Sequence, residues 1–328
     1  MTRDVKRPSV PVSSCTREKA ALDRIRVGEN VRRREIERCS KAKSILPVLA
    51  VLIVCILFGS FPLGAKDEAS LSGLVEEAQA AFDERYVEER MVEAIALYEA
   101  ILPRIDPTET QSRTFVLNRL SQLCYEATTF SPGDTAEDRE LFERGRSYGL
   151  ESLRSHPDFA RVEEDDFVVA VSNVNDAAAL LWTADNWGGL CGMNPIEGLL
   201  HFGKVRTLYE RCLAIDETFW GASPHNALGA MLVVTPAALG GDTDAGLAHL
   251  ETALALAPTY LLNRVVRAQY WGFTYNLLGQ IDGIRDAAFI ESELTAVLDE
   301  PIGDWPFWNR EALEEAVALL QKLDEMIP

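Results

Sequence analysis

Two stretches of this sequence combine aromatic rings with polar side chains inside apolar segments, a composition that occurs both in helix cores with internal polar networks and in lined binding cavities. In the first stretch, Asn173 and Asp176 precede Trp182. Because a buried polar group needs a hydrogen-bond partner, such a cluster indicates either an internal network or a wet cavity that holds a ligand. Both interpretations stay open for these three residues.

The same stretch continues with Asn186 and Trp187, directly before Gly188 and Gly189. The Gly pair predicts a turn between two helices, since glycine adopts turn conformations without steric cost. On this interpretation, Asn186 and Trp187 lie at the mouth of a cavity or on a docking face. The alternative is a turn that reverses the chain and binds nothing.

The second stretch places Arg267 beside Tyr270 and Trp271. Aromatic side chains at interior helix positions either form core or line a ligand site, and the sequence leaves both open. In the second case, we predict one aromatic cavity near Trp182, Trp187 and Trp271.

No motif for catalysis or for nucleotide binding is present: the sequence has no GxxxxGK[ST], no HExxH and no GxSxG. The four histidines have no pair at a metal-ligand spacing; they are His156, His201, His225 and His249. We therefore predict a protein that is not an enzyme and that uses no metal and no cofactor.

Six cysteines in 328 residues do not make a disulfide scaffold. Cys124 and Cys212 occupy core positions of predicted helices, whereas Cys191 follows the Gly pair. A disulfide between Cys191 and Cys212 is left open.

The charge is divided unevenly along the chain. Residues 1–44 carry 13 Lys and Arg against 6 Asp and Glu, whereas the remaining 284 residues carry 19 against 45. An acidic body of this kind repels phosphate backbones, which argues against nucleic-acid binding. Residues 1–44 are predicted to be a basic leader on the cytoplasmic side.

An uncharged segment, residues 45–65, follows the basic leader. Such an order is typical of an export signal, because the basic flank stays in the cytoplasm. Only 14 residues separate Pro47 from Pro62, which is the length of a signal-peptide core. We predict a signal peptide or a retained membrane anchor, which makes residues 66–328 a periplasmic or envelope-associated domain. Lipidation of Cys55 is disfavoured by the large Val54, and translation starting near Val27 or Val31 stays open.

Beyond residue 70, apolar residues recur at i, i+3, i+4 and i+7, which indicates helices. No segment shows the alternation of a strand, so the predicted fold is all-α. The predicted helices cover residues 74–84, 87–103, 112–127, 138–155, 167–187, 196–214, 224–238, 243–257, 263–278, 284–299 and 310–326. Boundary signals are Asn194-Pro195, Ser223-Pro224 and Gly240-Gly241-Asp242.

A degenerate repeat runs through these helices. Its clearest copy has a small residue at Gly246, then Leu250, Ala253 and Pro258, the spacing found in the second helix of a tetratricopeptide (TPR) unit. Weaker copies begin at Ala94, Gly145 and Val205. We predict a solenoid-like bundle of degenerate TPR helix pairs with extra C-terminal helices, in which small residues let neighbouring helices approach closely.

Three segments carry a resemblance to a known family. They are TADNWGG with NPIEGLLHFGKVRTLYERCLAIDETFWG, then LGGDTDAGLAHLETALALAPTYLLNRVVRAQYW, and finally ALLQKLDEMI. The chain from about residue 70 resembles the T component of TPR-associated TRAP (tripartite ATP-independent periplasmic) transporters, the TatT family.

The resemblance implies an exported, non-enzymatic accessory protein of a solute uptake system. It further implies association with the periplasmic solute-binding component, homo-oligomers, and a cavity for a hydrophobic or organic-acid ligand. The alternative is a TPR scaffold that assembles envelope proteins and holds no small molecule. Many members are lipoproteins, whereas this chain has no usable lipidation site.

Overall fold

The computed structural model describes residues 70–131, 133, 135–276 and 279–327. Within these ranges the chain forms thirteen α-helices and one two-stranded sheet. The first seven helices are α1 Leu71–Asp83, α2 Glu88–Ile101, α3 Thr110–Ala127, α4 Ala136–Arg154, α5 Pro157–Val162, α6 Phe167–Ser172 and α7 Ala177–Met193. The others are α8 Pro195–Ile215, α9 Phe219–Val234, α10 Thr243–Leu256, α11 Leu262–Gly272, α12 Ala287–Asp299 and α13 Trp308–Met326. The mostly helical architecture agrees with the predicted all-α class.

Most of the main helix contacts join helices that follow one another in the chain, and the contact of α4 with α7 is the exception. The main contacts join α1 to α2, α3 to α4, α4 to α7, α7 to α8, and α9 to α10. Consecutive pairing of this kind buries an apolar stripe that no single helix could bury alone.

Two of the three predicted boundary signals are confirmed. Asn194 caps α8, because its Oδ1 accepts a hydrogen bond from the Ile196 amide at 2.9 Å. Asp242 caps α10 by accepting a 3.0 Å hydrogen bond from the Ala245 amide, two residues after Gly240, which has φ 94°. Ser223 is not a cap, since its Oγ donates to the Trp220 carbonyl instead.

The prediction of one helix over residues 167–187 is wrong, and so is the turn at Gly188 and Gly189. The chain breaks earlier, because the Asp176 carboxylate caps a new helix by accepting from the Ala179 amide at 3.0 Å. Helix α7 then runs through both glycines. Gly189 allows α4 to pack closely against α7, because a Cβ at this position would lie 2.5 Å from the Phe142 ring.

The predicted helix over residues 263–278 ends at Gly272, and the expectation of no strand is wrong here. Phe273–Tyr275 (β1) pairs antiparallel with Ile281–Ile284 (β2). A Cβ on Gly272 would lie 2.2 Å from Ile290 Cγ1, so the helix ends where α12 packs against it.

Small residues of the repeat lie where helices approach closely, as predicted. A Cβ on Gly145 of α4 would lie 2.0 Å from Asn186 Oδ1 of α7, and one on Gly149 would lie 2.2 Å from Thr183 Oγ1. A Cβ on Gly246 of α10 would lie 2.8 Å from the Gly229 carbonyl oxygen of α9.

The start of the C-terminal helix contacts side chains of the first three helices. Trp308, at the start of α13, donates its indole N–H to Glu126 of α3 at 3.0 Å. Trp308, Phe307 and Tyr260 share one apolar cluster with side chains of α1, α2 and α3. A simple solenoid has contacts only between neighbouring repeats, so this long-range contact is an additional feature of the fold.

The predicted leader (residues 1–44) and the predicted signal or anchor (residues 45–65) lie outside the described residues. Among the residues that the structure describes, no helix has the length and apolar character needed to span a membrane.

Candidate functional site

A cavity of about 340 Å³ lies among helices α3, α7, α8, α9, α11 and α13. This volume is at the lower end of the range of small-molecule sites. Eight of its nineteen lining residues are aromatic, with a ring from every one of these helices. The rings belong to Tyr125, Trp182, Phe202, Tyr209, Trp220, Tyr270 and Trp308, and Tyr260 joins them from the segment before α11.

Trp220 occupies an unusual backbone position in this wall. Trp220, Gly221 and Ala222 have φ values of 49°, 67° and 63°, all in the left-handed region. Residues other than glycine pay a free-energy cost there, and such strain occurs mainly at functional sites. Here the unusual backbone places the Trp220 ring edge-on against Trp182, with centroids 5.1 Å apart.

One carboxyl group, that of Asp185, lines the cavity. Its Oδ1 accepts a hydrogen bond from the Tyr209 hydroxyl at 2.7 Å. Burial raises the pKa of Asp185 to about 7, although the Tyr209 hydrogen bond opposes the shift; the charge of Glu126 adds to it. Burial also holds the pKa of Tyr209 well above its ordinary value.

Two further polar atoms of the wall are buried without a hydrogen-bond partner among the described residues. They are the indole nitrogen of Trp220 and Oδ1 of Asn226. The Asn226 amide is held in place because its Nδ2 donates to Asn263 Oδ1 at 2.5 Å. Unpaired polar atoms at a cavity wall are expected where a ligand or water completes the hydrogen bonding.

Two of the eight residues singled out from the sequence, Trp182 and Tyr270, line this cavity. Trp182 is 2% exposed and lies deep in the wall. Tyr270 lies on α11 and stacks on Tyr275 of the hairpin, with centroids 5.6 Å apart.

Asn186 and Trp187 lie inside α7 and not on a loop. The Asn186 side chain is fully buried and donates to the Ser121 carbonyl at 2.9 Å, which joins α7 to α3. Trp187 is 6% exposed and packs edge-on against Phe167, with centroids 5.9 Å apart. The ring of His201, on α8, lies 5.2 Å from the Trp187 ring, so Trp187 supports the N-terminal half of α8.

Asn173 and Asp176 serve the helix ends on either side of the chain break. Asn173 donates to the Val169 carbonyl of its own helix at 2.9 Å. Asp176 caps α7 and also accepts from Asn118 Nδ2 at 3.0 Å.

Arg267 and Trp271 lie on α11 outside the cavity wall. The Arg267 guanidinium pairs with Glu293 at 3.2 Å and lies over the Phe289 ring. The guanidinium of Arg285 lies 4.7 Å from the centre of the Trp271 ring. The structure therefore does not bring Trp187 and Trp271 into one cavity with Trp182.

The side chains of Cys191 and Cys212 are free thiols in this structure. Burial raises the pKa of Cys191 to about 11. Two histidines do meet, contrary to the interpretation of their sequence spacing: His225 Nδ1 and His249 Nδ1 are 2.9 Å apart between α9 and α10. No group of three or more metal-ligating side chains occurs in the described part of the chain.

Sequence reasoning missed the polar residues of the wall, Asp185, Tyr209 and Asn226, and its strained ring, Trp220. Asp185 carries a signal that could have been used, because an acidic residue three positions after Trp182 on an apolar helix faces the same side as that ring. Tyr209 and Asn226 give no such signal, since only the pairing of α8 and α9 with α7 brings them to the cavity.

An exposed apolar patch lies at the N-terminal end of α8. Ile196, Leu199 and Leu200 are 70%, 78% and 68% exposed, and their spacing places them on one side of the helix. Phe202 and Tyr209 of the same helix line the cavity. Helix α8 thus carries both an exposed apolar patch and part of the cavity wall.

A comparison with curated proteins finds no match. The family model described as TRAP transporter T-component (TAtT) matches residues 114–326, more than half of the 328 residues. The match spans every helix that contributes to the cavity and the patch on α8. The chain therefore belongs to the TRAP transporter T-component family and is an accessory component of a TRAP transport system.

Proposed function

We propose that this protein docks the periplasmic solute-binding component of its TRAP system and holds a small ligand with an apolar body in the aromatic cavity. The protein acts without catalysis, in the envelope, after export directed by residues 45–65. Family membership supports association with a TRAP system. Docking, ligand holding, homo-oligomers and a TPR-type arrangement of the helices are parts of the proposal.

The observation that carries the docking proposal is the apolar patch of Ile196, Leu199 and Leu200. Three adjacent aliphatic side chains exposed by two thirds or more are unusual on a free surface and are typical of an interaction site. Because the patch lies on the helix that also lines the cavity, a docked partner would sit close to any bound ligand. We assign docking to this patch in preference to Trp187, which lies beneath α8.

The docking test is the double substitution Leu199→Gln with Leu200→Gln, which keeps good helix formers on α8. We expect at least tenfold weaker binding to the solute-binding component of the same TRAP system, measured by biolayer interferometry, with an unchanged melting temperature. The control is Val92→Gln, because Val92 is also an exposed aliphatic residue on a helix, at 62% exposure. Unchanged affinity in the double variant would refute docking through α8.

Ligand holding is supported by the aromatic wall and by the unpaired Trp220 and Asn226 atoms. Of the two ligand classes that the resemblance implies, hydrophobic compounds suit the wall better. Organic acids would meet no Lys or Arg among the described wall residues. The alternative function is a scaffold that binds partner proteins and holds no small molecule. It predicts that the protein docks its partner although no ligand binds in the cavity.

A further inference from the structure

We infer that the aromatic cavity selects ligands that carry a positively charged amino group, with the Asp185 carboxylate as the counter-ion. This inference rests on the proposed ligand-holding function and names the class of ligand.

The wall offers both kinds of polar atom: the Asp185 carboxylate and Oδ1 of Asn226 accept hydrogen bonds, whereas the buried indole N–H of Trp220 is an unpaired donor among the described residues. Asp185 has its Oδ1 bonded to Tyr209, and Tyr209 alone donates to it among the described contacts. The Oδ1 of Asn226, a residue only 7% exposed, is a second acceptor and is unpaired. An ammonium group has three N–H donors and no acceptor, so it complements these two acceptors.

The charge of the wall has one sign. Among the described residues, Asp185 carries the only carboxyl group of the wall, and no Lys, Arg or His lines the cavity. A buried carboxylate without a cationic partner is costly, and a bound cation removes that cost. A ligand carboxylate would instead meet a like charge.

The rings supply the remaining attraction. Trp182 and Trp220 meet edge-on at 5.1 Å, and Tyr125 lies 6.4 Å from Trp182. Aromatic rings that line a cavity attract a cation through the ring quadrupole when it lies within about 6 Å of a ring face. The left-handed backbone at Trp220 holds one of these rings in place.

The test uses three probes of matched size on the full chain at pH 8: 2-phenylethylammonium, neutral 2-phenylethanol and anionic phenylacetate. Binding is measured by calorimetry and by quenching of tryptophan fluorescence. We expect the ammonium probe to bind at least tenfold more tightly than the alcohol, and phenylacetate to bind most weakly. This comparison needs no variant, so it does not depend on a substituted chain folding.

The assigned counter-ion is tested with Asp185→Asn, which keeps an acceptor for Tyr209 but removes the charge. We expect ammonium affinity to fall at least tenfold, to the level of the alcohol, while alcohol affinity stays within threefold. The control is Asp165→Asn, because Asp165 is exposed and does not line the cavity.

Each other outcome has a distinct meaning. Equal binding of all three probes, or tightest binding of phenylacetate, overturns the ammonium class but leaves ligand holding intact. Ammonium binding that Asp185→Asn does not weaken overturns the role of Asp185. Failure of all three probes to bind at millimolar concentration overturns the ammonium class and ligand holding together.

Discussion

At the scale of single residues, the carboxyl group of Asp185 lies in a wall rich in aromatic rings, and its burial lowers the stability of the fold. Its pKa is raised to about 7, mainly by burial, whereas an unfolded chain releases this proton near pH 4. The titratable groups that influence it are Glu126 on α3 and Tyr209 on α8, and its charge in turn acts on Tyr125 and Cys212. The residue is thus expected to lower stability at neutral pH, as binding-site residues often do.

Replacing Asp185 with Asn should therefore stabilise the protein in a pH-dependent way. Between pH 4 and pH 7 the folded chain binds more protons at Asp185 than the unfolded chain, so its free energy of unfolding falls as pH rises. Asn does not titrate. The gain of Asp185→Asn over the unchanged chain should grow from pH 4 to pH 7 and stay constant above.

Urea unfolding at a series of pH values measures this gain directly. The pKa of His249 is lowered, chiefly by burial, so this residue adds its own loss of stability as pH falls through that range. That contribution is common to both proteins and cancels in the difference. A difference that stays the same from pH 4 to pH 8 would show that Asp185 does not titrate as described.

The site shows what sequence can predict at this scale. Trp182 is predictable because a large ring inside an apolar helix must pack against a wall of some kind. Trp187 has the same local pattern, yet it packs away from the cavity, against Phe167 of α6. The difference depends on which neighbour covers each side of α7, and residue spacing on one helix does not contain that information.

At the scale of helices, close approach explains why small residues recur along the repeat. The backbone of Gly145 on α4 leaves no room for a methyl group, since Asn186 Oδ1 would lie 2.0 Å away. Asn186 cannot yield easily, because its amide is bonded to the Ser121 and Trp182 carbonyls. The contact between α4 and α7 thus depends on a missing side chain.

Gly145→Ala should lower the free energy of unfolding by about 1–3 kcal/mol, the usual cost of overpacking a core. Gly203 on α8 is the matched control, because a Cβ there would meet no atom within 4 Å. Gly203→Ala should raise stability by about 0.5–1 kcal/mol, since alanine favours the helix. Thermal and urea unfolding of both variants test the pair, and a loss of stability in both would contradict the steric explanation.

Helix boundaries followed from the sequence where a capping side chain marks them, as at Asn194 and Asp242. They failed where tertiary packing decides, because Gly188 and Gly189 have the composition of a turn, yet both lie inside α7 and Gly189 allows close contact with α4. The hairpin after Gly272 was missed for a related reason. Each of its strands has only three or four residues, too few for an alternating pattern to emerge.

At the scale of the whole molecule, a buried ion pair between the turn after α1 and helix α3 is linked to the last helix by a hydrogen bond. Arg85, after α1, pairs with Glu126 of α3 at 2.6 Å, and Glu126 also accepts from Gln122 and from the Trp308 indole. Glu126 is completely buried. Because Trp308 also lines the cavity, this network holds one part of the cavity wall in place.

Removing one partner of this pair should be far worse than removing both. Glu126→Leu alone leaves Arg85 buried without a counter-charge, and Arg85→Met alone leaves Glu126 buried without one. Each single substitution should lower the free energy of unfolding by about 3–5 kcal/mol. The double variant replaces both charges with apolar side chains and should recover most of that loss. Urea unfolding followed by tryptophan fluorescence measures the stability of all three variants.

The exposed pair Arg161 and Asp158 is the control, where Asp158→Asn should change the free energy of unfolding by less than about 1 kcal/mol. If the double variant lost as much free energy of unfolding as the two single variants added together, the link of α1 and α3 to α13 through Glu126 would depend on the charges themselves.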